Sequence, residues 1–244
     1  MVNYTYWNKW STPFLEVKNE NHNTEKLMEE TDLWGNNSIL VDDRFLTDRE
    51  SVGHVPGQMI KNYLYESSFS FFEEVEEKKC SELLKLKKWI EYAFVDVFFD
   101  FFTLGSYAGS GFKNEFEEKN ISKNDIKIDL KESWLHITAN SGMHGAHNHR
   151  GFSWALIYYI SSGDSSATNG HNIFYNYGQQ AYDYNLKDFG NFYRHKDDCM
   201  ITEPEDGKMI MFPAEVVHAA QVYKTDSKSR IVVACNVRLY CDKW

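Results

Sequence analysis

Three histidines fall within six positions, His144, His147 and His149, between two runs that read as strands. Upstream lies Trp134-Leu135-His136-Ile137-Thr138, and downstream the run Ser153 to Ile160, SWALIYYI. In an extended chain residues i and i+2 share a face, so His147 and His149 are predicted to point at one metal ion. His144 has the opposite parity and can join them only through a turn, which Gly142 and Gly145 permit. A further histidine, His218, follows the apolar run Met209–Pro213. Twelve positions later Arg230 opens a β-branched strand that runs to Val237. Two histidines at one strand end, a distant third and an arginine beyond it suit a non-haem iron site inside a β-barrel, with the arginine gripping an acidic co-substrate. Imidazole also suits Zn, Cu and Ni, so the histidines alone do not select the metal. The competing reading, three histidines in a polar surface loop, leaves the downstream residues unexplained.

The rest of the chain bounds the answer. Its 244 residues are enough for one sizeable core, and 42% apolar with 16% aromatic content marks a folded protein. We expect a single domain over 1–244, with 1–115 an N-terminal arm and supporting helices and 125–240 the core. A net charge of −10 argues against general binding to nucleic acid or anionic membrane. Cys80, Cys199, Cys235 and Cys241 form no paired spacing. With no signal-peptide pattern at Met1 to Pro13, reduced thiols and a cytoplasmic location are the expectation. The longest apolar run, Tyr92–Leu104, is broken by Asp96 and Asp100 and is too short to span a bilayer.

Along the chain, residues 1–60 read as an irregular arm whose tryptophans, Trp34 among them, pack on the core. Pro56-Gly57 signals a turn, with helix from Gln58 to Phe102. Within it Leu83, Leu84, Leu86, Ile90, Phe94, Val97, Phe98 and Phe101 keep the spacing of one apolar helix face, suited to the outside of a sheet. Gly105, Gly109 and Gly111 end it, and 112–124 reads as a charged loop. Asp125–Leu130 alternates as a half-buried strand, and Ile173–Tyr177 is a further strand. The polar and aromatic segment 178–200 reads as a long loop, a candidate lid. Glu203–Gly207 is a turn before the Met209 strand. His22, His54, His136, His171 and His195 show no ligand spacing.

His147-Asn148-His149 with Tyr158-Tyr159, Gly207 with Phe212-Pro213 and His218, and Arg230 with Asn236 together resemble the 2-oxoglutarate- and Fe(II)-dependent dioxygenases, in particular small bacterial and phage oxygenases. The resemblance covers about residues 130–240. It implies a double-stranded β-helix, a jelly roll of two facing sheets, mainly β and buttressed by N-terminal helices. It implies His147 and His218 as ligands of Fe(II), with His149 where an Asp or Glu is usual. Arg230 would take the C5 carboxylate of 2-oxoglutarate through paired hydrogen bonds. In the usual Arg-x-Ser the hydroxyl is replaced here by Val232, a role that Tyr158 or Tyr159 can fill. The two tyrosines alternate sides, so at most one faces the interior. Asn236 shares the parity of Arg230 and is a candidate pocket residue.

The implied reaction is hydroxylation, or a related C–H oxidation, of a small molecule, amino acid or peptide, with succinate and CO2 as co-products and no catalytic residue beyond the metal centre. Two alternatives stand beside it: a three-histidine dioxygenase that uses no 2-oxoglutarate, and a jelly roll that binds metal or carbohydrate without turnover.

Overall fold

The computed structural model describes residues 3–9, 12–35, 64–103, 112–130, 132–176, 199–225 and 228–244. Among the described residues twelve strands and four α-helices follow in the order β1 Tyr4–Lys9, β2 Thr12–Lys18, α1 Thr24–Gly35, β3 Leu64–Glu66, α2 Phe71–Lys78, α3 Ser81–Thr103, α4 Phe112–Glu118, β4 Ile126–Asp129, β5 Ser133–Thr138, β6 His144–His147, β7 Trp154–Ser161, β8 Asn172–Tyr175, β9 Cys199–Thr202, β10 Lys208–Pro213, β11 Val217–Ala220 and β12 Arg230–Cys241. The large sheet runs β1-β2-β10-β7-β12-β5-β3, with β4 also paired to β12. The small sheet runs β6-β11-β8-β9. Every ladder between these strands is antiparallel.

The alternation of β7 shows how the layers are built. All eight of its residues are buried, because both faces of this central strand are covered. Leu156, Tyr158 and Ile160 face the helices; Ala155, Ile157 and Tyr159 face the small sheet. Its neighbours repeat the division: Met209 and Met211 against Ile210 and Phe212, Leu15 and Val17 against Phe14. Two sheets packed through such inner faces make the jelly roll the sequence predicted.

α3 covers the outer face as expected, burying Leu83, Leu86, Ile90, Phe94, Val97 and Phe101. Its first turn is capped from α1: a Glu30 carboxylate oxygen accepts the Leu83 N–H at 2.8 Å and the Glu82 N–H at 3.0 Å. Asp96 and Asp100, the charges that interrupt the apolar run, are buried and share Lys123 Nζ at 2.5 and 2.8 Å. No helix among the described residues is long and apolar enough to cross a membrane.

Several expectations for the first half are corrected. The N-terminal residues are not an irregular arm, since β1 and β2 extend the large sheet through β10. Their apolar alternation, Phe14-Leu15-Val17, is short and interrupted by charge, which hid it. Trp34 does pack inward, 5.0 Å from Phe71, with its indole N–H donated to Glu74. The predicted continuous helix is broken: 64–66 is strand, and α2 ends where Lys79 takes a left-handed φ of 58°. Residues 112–118 form α4 rather than a loop. Its few apolar positions gave no helical period, yet Phe116 stacks on Phe99 of α3 at 5.7 Å. Pro56, Gln58, His54, His195, Gly105, Gly109 and Gly111 lie outside the described residues, as do Tyr177 of the predicted strand and 178–198 of the predicted lid. The end of that segment is strand, since Cys199 starts β9.

Candidate metal centre

The pocket lies between the sheets, where β5, β6, β11 and β12 meet. β6 pairs with β11 so that His147 stands opposite His218. His149 sits two residues beyond, past the end of β6, and its backbone N–H is tied to the Ala214 carbonyl at 2.8 Å. Ring nitrogens of His147, His149 and His218 all lie within 4.8 Å of one another. His149 Nε2 and His218 Nε2 are 3.3 Å apart, and the rings of His147 and His218 are centred at 4.4 Å. Two backbone carbonyls set the tautomers. His147 Nδ1 donates to Gly145 at 2.7 Å and His218 Nδ1 to Val216 at 3.0 Å, which leaves the lone pair of each at Nε2.

The surroundings keep His149 and His218 neutral. Phe174 and Phe212 pack on His218, and Trp134 on His149. Burial, with the neighbouring histidines adding to it, holds His149 down to about 3 and His218 well below the usual imidazole range. Neutral imidazoles with converging lone pairs are a donor set for a borderline transition metal.

Arg230 enters the same pocket from β12, 2% exposed. One terminal nitrogen donates to the Gly170 carbonyl and the other to Thr138 Oγ1 at 3.3 Å; Nε has no partner. No carboxylate pairs with it among the described residues. Burial lowers its affinity for the proton, opposed by Tyr159 and Tyr223. Gly170 has φ +61°, and a Cβ there would stand 2.6 Å from the Tyr223 ring, so this carbonyl is presented by a turn that suits glycine. A buried guanidinium with an idle N–H and no counter-anion fits a ligand carboxylate.

The remaining predicted residues separate. Tyr159 faces the small sheet, and its hydroxyl accepts Asn172 Nδ2 at 2.7 Å; burial raises its pKa to about 12. Tyr158 points to the helices, where its hydroxyl meets His22 Nδ1 at 2.7 Å and Asn19 Nδ2 at 3.2 Å. It therefore does not reach the pocket, a correction that follows from the alternation itself. Asn236 is also corrected. Its parity is that of Arg230, Val232 and Ala234, but six residues of strand span about 20 Å, and it bonds Glu132 beyond the pocket's end.

The sequence reading missed Thr138, Asn172, His136 and Glu66. Trp134, His136 and Thr138 share a parity along β5 that would have marked them as inward. Glu66 carried no such signal in a three-residue strand.

Residues 132–236 match the family described as putative 2OG-Fe(II) oxygenase. The chain resembles the 2OG-Fe(II) oxygenases. That family's description names both iron and 2-oxoglutarate. AviO1 from Streptomyces viridochromogenes Tue57 aligns over 91% of this chain and 89% of its own at 13% identity, with a TM-score of 0.51, which shows a shared fold. A Trichoplax adhaerens prolyl hydroxylase, in complex with a hypoxia-inducible-factor peptide fragment, aligns over 91% and 82% at 10% identity and a TM-score of 0.47. A Burkholderia pseudomallei oxidoreductase of the 2OG-Fe(II) oxygenase family aligns over 52% of this chain at 8% identity and a TM-score of 0.34, and there the chain spans 50% of the relative's length. No curated protein matches the chain.

Proposed function

We propose that this protein is an Fe(II)- and 2-oxoglutarate-dependent oxygenase that oxidises a C–H bond of a small molecule, an amino acid or a peptide. One juxtaposition carries the reading: three converging imidazoles and a buried arginine that pairs with no carboxylate among the described residues line one pocket. His147, His149 and His218 hold the iron, and Arg230 holds the C5 carboxylate of 2-oxoglutarate. Iron bound there would use O2 as the oxidant, one oxygen atom going to 2-oxoglutarate as it decarboxylates to succinate and CO2 and the other serving to oxidise the substrate.

The chain's own residues orient and exclude. The Gly145 and Val216 carbonyls aim His147 and His218. Thr138 and Gly170 hold the guanidinium so that its remaining N–H points can meet a carboxylate. Tyr159 and Asn172 brace the wall between Arg230 and the small sheet. Phe174, Phe212 and Trp134 pack against the histidines and limit water there. All three protein ligands are neutral imidazoles, so the co-substrate's other carboxylate, at C1, would supply negative charge at the metal. A dioxygenase working without 2-oxoglutarate would leave the desolvated Arg230 without a carboxylate partner among the described residues.

Anaerobic addition of Fe(II) and 2-oxoglutarate is expected to produce the visible difference absorbance of a keto-acid chelate. Arg230→Ala is expected to weaken 2-oxoglutarate binding by about 2–5 kcal/mol, roughly 30-fold or more, while iron content holds. Equal affinity in both proteins would remove Arg230 from the co-substrate site. Absence of the absorbance in the wild-type protein would end the 2-oxoglutarate reading.

A further inference from the structure

Beside the three histidines lies a second set of donors. Glu66 on β3 stands directly opposite His136 on β5 in the ladder, so both side chains leave the sheet on the same face. His144 arrives from the small sheet, at the start of β6. Donor atoms of Glu66, His136 and His144 all lie within 4.8 Å of one another. Two imidazole nitrogens face a single carboxylate oxygen: His136 Nε2 at 2.5 Å and His144 Nε2 at 3.6 Å from Glu66 Oε2. The two rings stack at 5.0 Å with 28° between planes, which holds both nitrogens towards the glutamate.

We propose that Glu66, His136 and His144 form a second site for a divalent transition-metal ion, separate from the one on His147, His149 and His218. The chemistry of the donors is the first argument. Two imidazoles and one carboxylate suit a borderline divalent cation with open positions, and this set contributes the negative charge that the three-histidine set lacks. Burial is the second. Glu66 is 3% exposed and His136 8%, so the carboxylate is desolvated, and a bound cation offsets that cost. Access is the third: His136 and His144 both line the pocket that holds Arg230 and the other three histidines, so an ion reaches either site by one route. Metal–nitrogen distances of about 2.1 Å place ligand atoms roughly 3 Å apart, so the short His136–Glu66 contact opens slightly and the His144 contact closes. The His144 and His147 rings are centred only 4.3 Å apart, so the two ions repel and the second binds more weakly than the first.

The test is a titration with Zn(II) alone, without 2-oxoglutarate, read as equivalents bound per chain, together with the anomalous zinc signal in crystals of the wild-type protein. Two equivalents are expected, falling to one in Glu66→Gln, one in His218→Ala and none in the double variant, with an anomalous peak among Glu66, His136 and His144. His136→Asn is a second way to empty the new site should Glu66→Gln fold poorly, and the wild-type count and peak need no variant. One wild-type equivalent that His218→Ala removes overturns the second site and leaves the three-histidine reading standing. One equivalent that survives His218→Ala but is lost in Glu66→Gln supports the second site and overturns the three-histidine assignment. Two equivalents unchanged by Glu66→Gln and His136→Asn, or a peak elsewhere, overturn the proposal.

Discussion

The two faces of the large sheet are made by the same strands and differ in chemistry. The outer face meets α1, α2 and α3 in a dry layer of Leu, Ile, Val, Met and Phe, with Phe94 and Phe98 packed edge-on against Trp154. The inner face has an apolar end around Phe14, Ile210 and Phe212. Its other end carries Arg230, Thr138, His136 and, across from them, the histidines of the small sheet. β5 and β12 thus spend one parity on the core and the other on the site. Tyr158 and Tyr159 are the sharpest instance. Adjacent in sequence and both fully buried, one braces the helical layer through His22 and the other borders the pocket through Asn172. A residue's type says little here until its face is known.

The division can be broken from the outer face first. Phe94→Ala is expected to cost about 3–5 kcal/mol in denaturant unfolding by opening a cavity beneath Trp154, while the variant that stays folded keeps its metal stoichiometry. His218→Ala should do the reverse, losing metal at the three-histidine set while the metal-free protein loses less stability than Phe94→Ala does. If both substitutions moved stability and metal binding together, the two faces would not be separable.

The tyrosine pair sharpens the contrast with a smaller effect. Tyr158→Phe removes the hydroxyl that His22 and Asn19 meet and is expected to cost about 0.5–1.5 kcal/mol of stability with 2-oxoglutarate affinity unchanged. Tyr159→Phe frees Asn172 and is expected to weaken 2-oxoglutarate several-fold. Calorimetry on both variants would reverse this assignment if Tyr158→Phe proved the one that weakens the ligand.

The smallest effect lies at the rim, where Asp206 ties β7 to α1. Its carboxylate accepts the Ser162 N–H and Oγ–H at 2.6 Å each and the Thr24 hydroxyl at 2.9 Å. Burial opposes its charge, but these hydrogen bonds outweigh burial and hold its pKa below the ordinary value. A depressed folded pKa contributes stability that is present above the unfolded value of about 3.9 and is lost as pH falls through the folded one. Asp206→Asn should therefore be less stable than wild type at neutral pH, and the gap should narrow below about pH 4. A gap independent of pH would assign the effect to packing.

Much of the second half was legible because its signals are local. The strand runs at 134–138, 154–160, 209–213 and 230–237 alternate or stay apolar throughout, and the turn at Gly207, whose φ is 77°, announces itself. The identity of His147, His149, His218 and Arg230 as inward residues followed from spacing and resemblance. The first half was harder because β1, β2 and β3 owe their strand state to partners far along the chain: β2 to β10, and β3 to β5. A three-residue strand such as Leu64–Glu66 has no period to read.

What the sequence by itself determined is periodicity and residue type: which positions alternate, which helix has one apolar face, and which side chains can bind a metal or an anion. Tertiary structure decided distance. It put Asn236 about 20 Å along the strand from Arg230 despite the right parity, set Tyr158 behind the sheet, and carried Glu66 from far upstream to His136 and His144. Parity fixes a face, but only strand pairing fixes which residues of that face meet across the barrel.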